Sequence, residues 1–182
     1  MKKICVLLML VLFAVTLTCV ALPMAEAAIF DTVAVKVTVT PVLSVSITED
    51  QYQFGSVAAG STTVSTAGVS VINNGSGIDE TYSLALADPA DMTASQTATS
   101  LNKYVLNAAF SNLVSGITWN LPNHALATVG AVCTPTKFAG DQTGVAVPYN
   151  ASRKLWLQFM APPATKATAE QIIPVTVTAQ VS

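Results

Sequence analysis

Charge is scarce in this chain of 182 residues, which carries eight Lys and Arg, ten Asp and Glu, and one His. So few scattered cations cannot build a phosphate-neutralising patch, which argues against nucleic acid as a partner. Cysteine is equally sparse, at Cys5, Cys19 and Cys133. The first two fall in the N-terminal leader, so Cys133 is left alone and no disulfide framework can staple the remainder. Long apolar runs are also lacking, with one exception that stretches from Ile4 to Leu22. Lys2-Lys3 precedes that run and Ala25-Glu26-Ala27, a small-x-small pattern, follows it. The leader therefore reads as a secretory signal peptide over residues 1–27, a helix removed by cleavage. No later run reaches 18 apolar residues, so no membrane span is expected after cleavage. Helical periodicity is missing from the rest of the chain as well.

What remains, residues 28–182, is expected to be a single domain with six cations and nine anions. A chain of this size buries about 70% of its unfolded surface, enough for a self-sufficient core. Its dominant pattern is period two. Val33, Val35, Val37 and Val39, then Leu43, Val45 and Ile47, alternate with Ala34, Lys36, Thr38, Thr40, Ser44 and Ser46. Pro41 interrupts this segment, and proline cannot donate to a ladder, so the strand is expected to lie at an edge or to change sheets there. Ile173, Val175, Val177, Ala179 and Val181 repeat the pattern at the C-terminal end. Further strands are expected over 51–57, 62–73, 81–87, 103–110, 145–147 and 154–160, with a bulge near Ala67-Gly68. Two polar stretches, 88–102 and 111–144, read as long connections, and the second holds His124, Cys133 and Trp119. A connection of that length is uncommon and is often functional or partly structured. The expected fold is all-β, a sandwich of two antiparallel sheets in which first and last strands lie close together.

The segment Tyr52-Gln53-Phe54-Gly55-Ser56-Val57-Ala58-Ala59-Gly60-Ser61, followed by Val69-Ser70-Val71-Ile72-Asn73-Asn74-Gly75, resembles a signature of bacterial immunoglobulin-like domains. These are related to the ASPM/SPD-2/Hydin (major-sperm-protein-like) group. The resemblance implies an immunoglobulin-like β-sandwich in which Phe54 packs inward, Gly60 turns the chain and Asn73 to Gly75 turn it back. It implies little about activity, because such sandwiches serve scaffolding, adhesion and assembly alike. A looser likeness is to TasA/camelysin-type surface proteins, which also follow a signal peptide. Trp119-Asn120-Leu121 is similar to one copy of the Trp-x-Leu motif of Gram-positive cell-wall-binding domains.

Candidate chemistry is thin. His124 and Cys133 stand nine residues apart, but no thiol-hydrolase signature flanks them, and two ligands are too few for zinc. A lone cysteine most often behaves as a small buried hydrophobe, and the alternative is an intermolecular disulfide through Cys133. The acidic sets Glu49-Asp50, Asp79-Glu80 and Asp88 with Asp91 read as solvated turn residues. Adjacent positions on a strand point to opposite faces and cannot form a catalytic pair. Asn73, Asn74, Asp79 and Glu80 lack the spacing of a calcium loop. Neither a cofactor nor a metal site is expected. Trp156 reads as the inter-sheet tryptophan of the core, with Leu155, Leu157 and Phe159 turned to a loop. The sharpest candidate is the Val33, Val35, Val37, Val39 row, which either closes its own sandwich or inserts into a neighbour's open edge.

The expectation is thus a non-enzymatic, secreted structural or adhesive protein, located in the periplasm, outside the cell or on its surface. It would meet protein partners or itself, as a self-assembling subunit through an edge strand. The alternative is a binding module that recognises a protein or glycan through the 111–144 loop.

Overall fold

A computed structural model of the chain describes residues 32–113 and 116–182. The leader assigned to residues 1–27 lies outside the described residues. The chain divides into two units, Met1–Thr38 and Val39–Ser182. Among the described residues there is no helix, and strands account for all regular structure.

Nine strands run in chain order: β1 (Val45–Ile47), β2 (Thr62–Val64), β3 (Val69–Asn73), β4 (Glu80–Leu86), β5 (Thr93–Ala94), β6 (Lys103–Phe110), β7 (Ala131–Val132), β8 (Ser152–Met160) and β9 (Val175–Val181). Six form one curled sheet in the order β1-β3-β8-β6-β5, with β2 also paired to β8, and three form a second sheet in the order β7-β4-β9. The pairings are antiparallel, except that β5 runs parallel to β6. The result is an all-β, sandwich-like architecture.

Period-two patterning explains the long strands. Tyr82, Leu84 and Leu86 line the inner face of β4, and Tyr104, Leu106, Ala108 and Phe110 line that of β6. Leu155, Leu157 and Phe159 do the same on β8, and Val177 on β9. Two aromatic rings bridge the sheets directly, with Tyr82 of β4 5.9 Å from Phe110 of β6. The β2–β3 break at residues 65–68 falls where the bulge is expected: β2 pairs with the C-terminal end of β8 and β3 with its N-terminal end. Gly68 packs against Trp156 there, and a Cβ on it would stand 2.9 Å from the indole nitrogen.

Three expectations need correction. The long Val33–Ile47 alternation yields a strand only at Val45–Ile47, and residues 32–44 form none. That strand does lie at a sheet edge, and β1 touches β9 while pairing with β3 in the other sheet. The 51–57 segment keeps alternating exposure without joining a ladder. Its aromatics are held by ring contacts instead, Tyr52 edge-on to Phe54 at 5.0 Å and Phe54 tilted against Phe159 at 5.8 Å. Residues 145–147 contribute one isolated bridge, Val147 to Glu80, rather than a strand.

Trp156 reverses the expected facing. Leu155, Leu157 and Phe159 are the ones that pack between the sheets, while Trp156, 4% exposed, is buried on the outer face of β8. Its indole N–H donates to the Ser111 carbonyl at 2.9 Å, which ties the following segment down over it. Both faces of β8 are therefore covered at this point.

Candidate functional site

Two features gather the residues singled out by the sequence: the connection over 111–144, and the exposed row Val33, Val35, Val37 and Val39.

The connection is structured by the edges it laces together. On β6, Ala108 N–H donates to His124 O, Leu106 O accepts from Leu126 N–H, and Phe110 N–H donates to Phe138 O. The chain then crosses to the second sheet, where Cys133 N–H donates to Tyr82 O and Tyr82 N–H to Gly144 O. Residues 123–147 thereby close the side of the sandwich formed by β6 and β4. Phe138 holds a positive φ of 59°, unusual for an aromatic residue, and its full burial keeps it there.

His124 pins this crossing. It is 4% exposed, its Nδ1 accepts the Asn120 N–H at 3.0 Å, and its Nε2 lies 2.9 Å from the Ala139 carbonyl. With Nδ1 accepting, the proton belongs on Nε2, where it bonds the carbonyl. Burial lowers its pKa, and the Ala139 bond works weakly against that. Both ring nitrogens are spent on backbone groups, so neither is available to take a proton from Cys133.

Cys133 lies 3% exposed in the core, and burial pushes its thiol up to about 12. Gly144 packs on it so closely that a Cβ there would stand 2.7 Å from both Cys133 Sγ and Phe110 Cε2. A thiol that is protonated and covered is a poor nucleophile. A disulfide to a second chain would first require β7 to peel away from β4. Native protein treated with iodoacetamide at neutral pH is therefore expected to stay unmodified at Cys133, with full labelling once denaturant is added. Rapid labelling of the folded chain, followed by mass spectrometry, would contradict the burial.

The acidic residues separate in the same way. Glu80, expected as a solvated turn residue, is fully buried, with Oε1 accepting the Ser44 N–H at 2.8 Å and Oε2 without a hydrogen-bond partner. Asn73, also fully buried, donates from Nδ2 to Ile78 O and Val147 O, both at 2.8 Å, and accepts the Gly75 N–H on Oδ1 at 2.8 Å. These two side chains fasten the start of β1 and the β3–β4 turn. Among the described residues no group of three His, Cys, Asp or Glu is placed to hold a metal.

Over the outer face of β8 lies a groove of about 580 Å³, lined by Val64, Ser65, Thr66, Gly116, Ile117, Trp119 and Trp156. Trp119 meets His124 edge-on with ring centres 5.6 Å apart. The groove comes from the covering of Trp156, which strand alternation alone did not reveal.

Val33, Val35, Val37 and Val39 are 87%, 77%, 75% and 82% exposed and belong to no strand. Leu43, Ile47 and Val181 are also exposed, at 37%, 40% and 60%. The chain matches no family model, no curated protein and no solved structure.

Proposed function

We propose that this chain is a non-enzymatic, secreted structural or adhesive protein of the cell surface, an immunoglobulin-like sandwich that self-assembles through an edge strand. The observation that carries this reading is the row Val33, Val35, Val37, Val39. It is an alternating β-prone segment whose apolar face is left in water at 75–87% exposure. A row of this kind gains by pairing with a sheet edge, which supplies both backbone hydrogen bonds and apolar cover. Secretion is supported by the signal-peptide pattern of residues 1–27. The immunoglobulin-like assignment is supported by the Phe54-Gly55 and Asn73 to Gly75 turns and by the contact between β1 and β9.

The test is to purify residues 28–182 and examine them by size exclusion and negative-stain microscopy. Filaments or large assemblies are expected, and removing residues 28–40 should abolish them while leaving the β-type circular dichroism intact. Assemblies that survive the deletion would dismiss the proposal.

A second reading, recognition of a glycan through the 111–144 connection, is favoured by the groove, which half-buried Trp119 lines together with Ser65 and Thr66. A monomeric protein whose tryptophan fluorescence shifts with an added oligosaccharide would favour it.

A further inference from the structure

We infer that the outer edge of β9 is the acceptor for Val33–Val39 of a second copy of this chain; this rests on the assembly reading above and names its receiving surface. The argument begins with where the backbone groups of β4 go. Glu80 exchanges hydrogen bonds with Val147, Tyr82 bonds Gly144 and Cys133, and Leu86 N–H donates to Ala127 O, all on the side away from β9. The alternate residues Thr81, Ser83 and Ala85 are left to face β9, where their register partners are Gln180, Thr178 and Thr176. Ala87 N–H continues the series by donating to Pro174 O. Along a strand, successive residues turn their N–H and C=O groups to opposite edges. Val175, Val177, Ala179 and Val181 therefore aim theirs away from β4, and among the described residues β9 has no other strand partner.

That edge lacks the usual protection. Sheet edges are commonly blunted by lysine, proline or a bulge. The β9 sequence Val-Thr-Val-Thr-Ala-Gln-Val has no charge and no proline, and it pairs with β4 without a register break. Its inner row is also short of cover. Tyr82 and Leu84 on β4 are fully buried, whereas one strand over only Val177 is buried, Val175 and Ala179 are half-buried and Val181 is 60% exposed. Cover thus runs out toward this side of the sandwich, while the β6–β4 side is closed by the 123–147 crossing.

The donor fits the gap. Val33–Val39 and β9 both span seven residues, and the four valines would continue the inner row while Ala34, Lys36 and Thr38 face outward. Its one charge, Lys36, falls on the outward row and is not buried by the pairing. The donor valines are exposed on the isolated chain, so joining two copies satisfies both surfaces at once. Donor and acceptor are different surfaces, so each contact leaves one of each free and the assembly propagates.

The centres of the two segments, Lys36 and Thr178, both point outward, so they come opposite each other whether the strands run parallel or antiparallel. Chains of residues 28–182 carrying Lys36→Cys are mixed with chains carrying Thr178→Cys and mildly oxidised, with Thr176→Cys and Gln180→Cys as partners for a shifted register. A disulfide-linked dimer is expected from a mixture and from neither variant alone. A second variant, Ala179→Pro, removes one outward N–H without breaking a bond to β4. It should lose assembly while keeping the wild-type unfolding midpoint to within a few degrees. Assemblies that form without cross-linking at 176, 178 or 180, and persist in Ala179→Pro, would overturn the β9 acceptor and leave the assembly reading standing. Wild-type chains that stay monomeric would overturn both. A Lys36→Cys/Thr178→Cys chain that closes a disulfide within one monomer would overturn the second copy as the occupant.

Discussion

Replacing Asn73 with alanine is expected to lower the unfolding free energy by about 3 kcal/mol. The side chain is fully buried and makes three hydrogen bonds, two as donor and one as acceptor. Each such bond contributes on the order of 1 kcal/mol net, and stranding buried partners adds their desolvation cost. Alanine would strand the carbonyl of Ile78 and the N–H of Gly75, and would leave the Val147 carbonyl with the Glu80 N–H alone. It would also loosen the turn on which Glu80 is held, because a Cβ at Gly75 would stand 2.5 Å from Glu80 Oε1 and 3.1 Å from Asn73 Oδ1. Aspartate should not rescue the loss, since an ionised carboxylate offers no donor for the two carbonyls. Urea unfolding followed by circular dichroism measures the effect, and a change below about 1 kcal/mol would show that the network is not tensioned as described.

Phe110→Ala should cost about 3–5 kcal/mol, the range for emptying a large aromatic site in a core. Phe110 has no exposed surface, belongs to one sheet and stacks on Tyr82 of the other. Its ring also touches the Gly144 site beside Cys133, so the cavity opens where the crossing connection meets both sheets. The main chain of Phe110 receives Gly140 and Gln142 N–H groups, and slack at this position should spread into that connection. A useful control is Tyr82→Phe, because the Tyr82 hydroxyl is buried without a partner and burial pushes its pKa up to about 12. Removing a polar group that has no bond is close to neutral by the same reasoning.

Much of the fold was legible because long strands advertise their period. For β4, β6, β8 and β9 the apolar pattern locates the strand to within two residues, and on β4 and β9 strict alternation also names the inner face. The two-residue strands β5 and β7 carry no period, and pairing to β6 and β4 alone defines them. The Val33–Val39 row shows the converse: alternation reports readiness to pair, and a strand exists only where an edge is supplied. Trp156 was misplaced because alternation assigns one dry face, whereas the segment after Ser111 folds back and dries the second. The burial of Glu80 escapes the sequence because polar residues near a turn are usually solvated, and the same holds for the bonds that Asn73 makes beyond its turn. Nothing local marks the Ser44, Ile78 and Val147 groups that they serve from distant parts of the chain.

The covering of Trp156 has a spectroscopic consequence. Both tryptophans of the chain, Trp119 and Trp156, line the same groove on the outer face of β8. Intrinsic emission therefore reports on one seam of the molecule, the lift of the 116–119 segment from the sheet beneath it. Events at the β9 edge leave both indoles in unchanged surroundings. A red shift in this protein signals detachment of an outer flap, and a denaturation curve drawn from fluorescence would run ahead of one drawn from circular dichroism wherever that flap opens before the two sheets part.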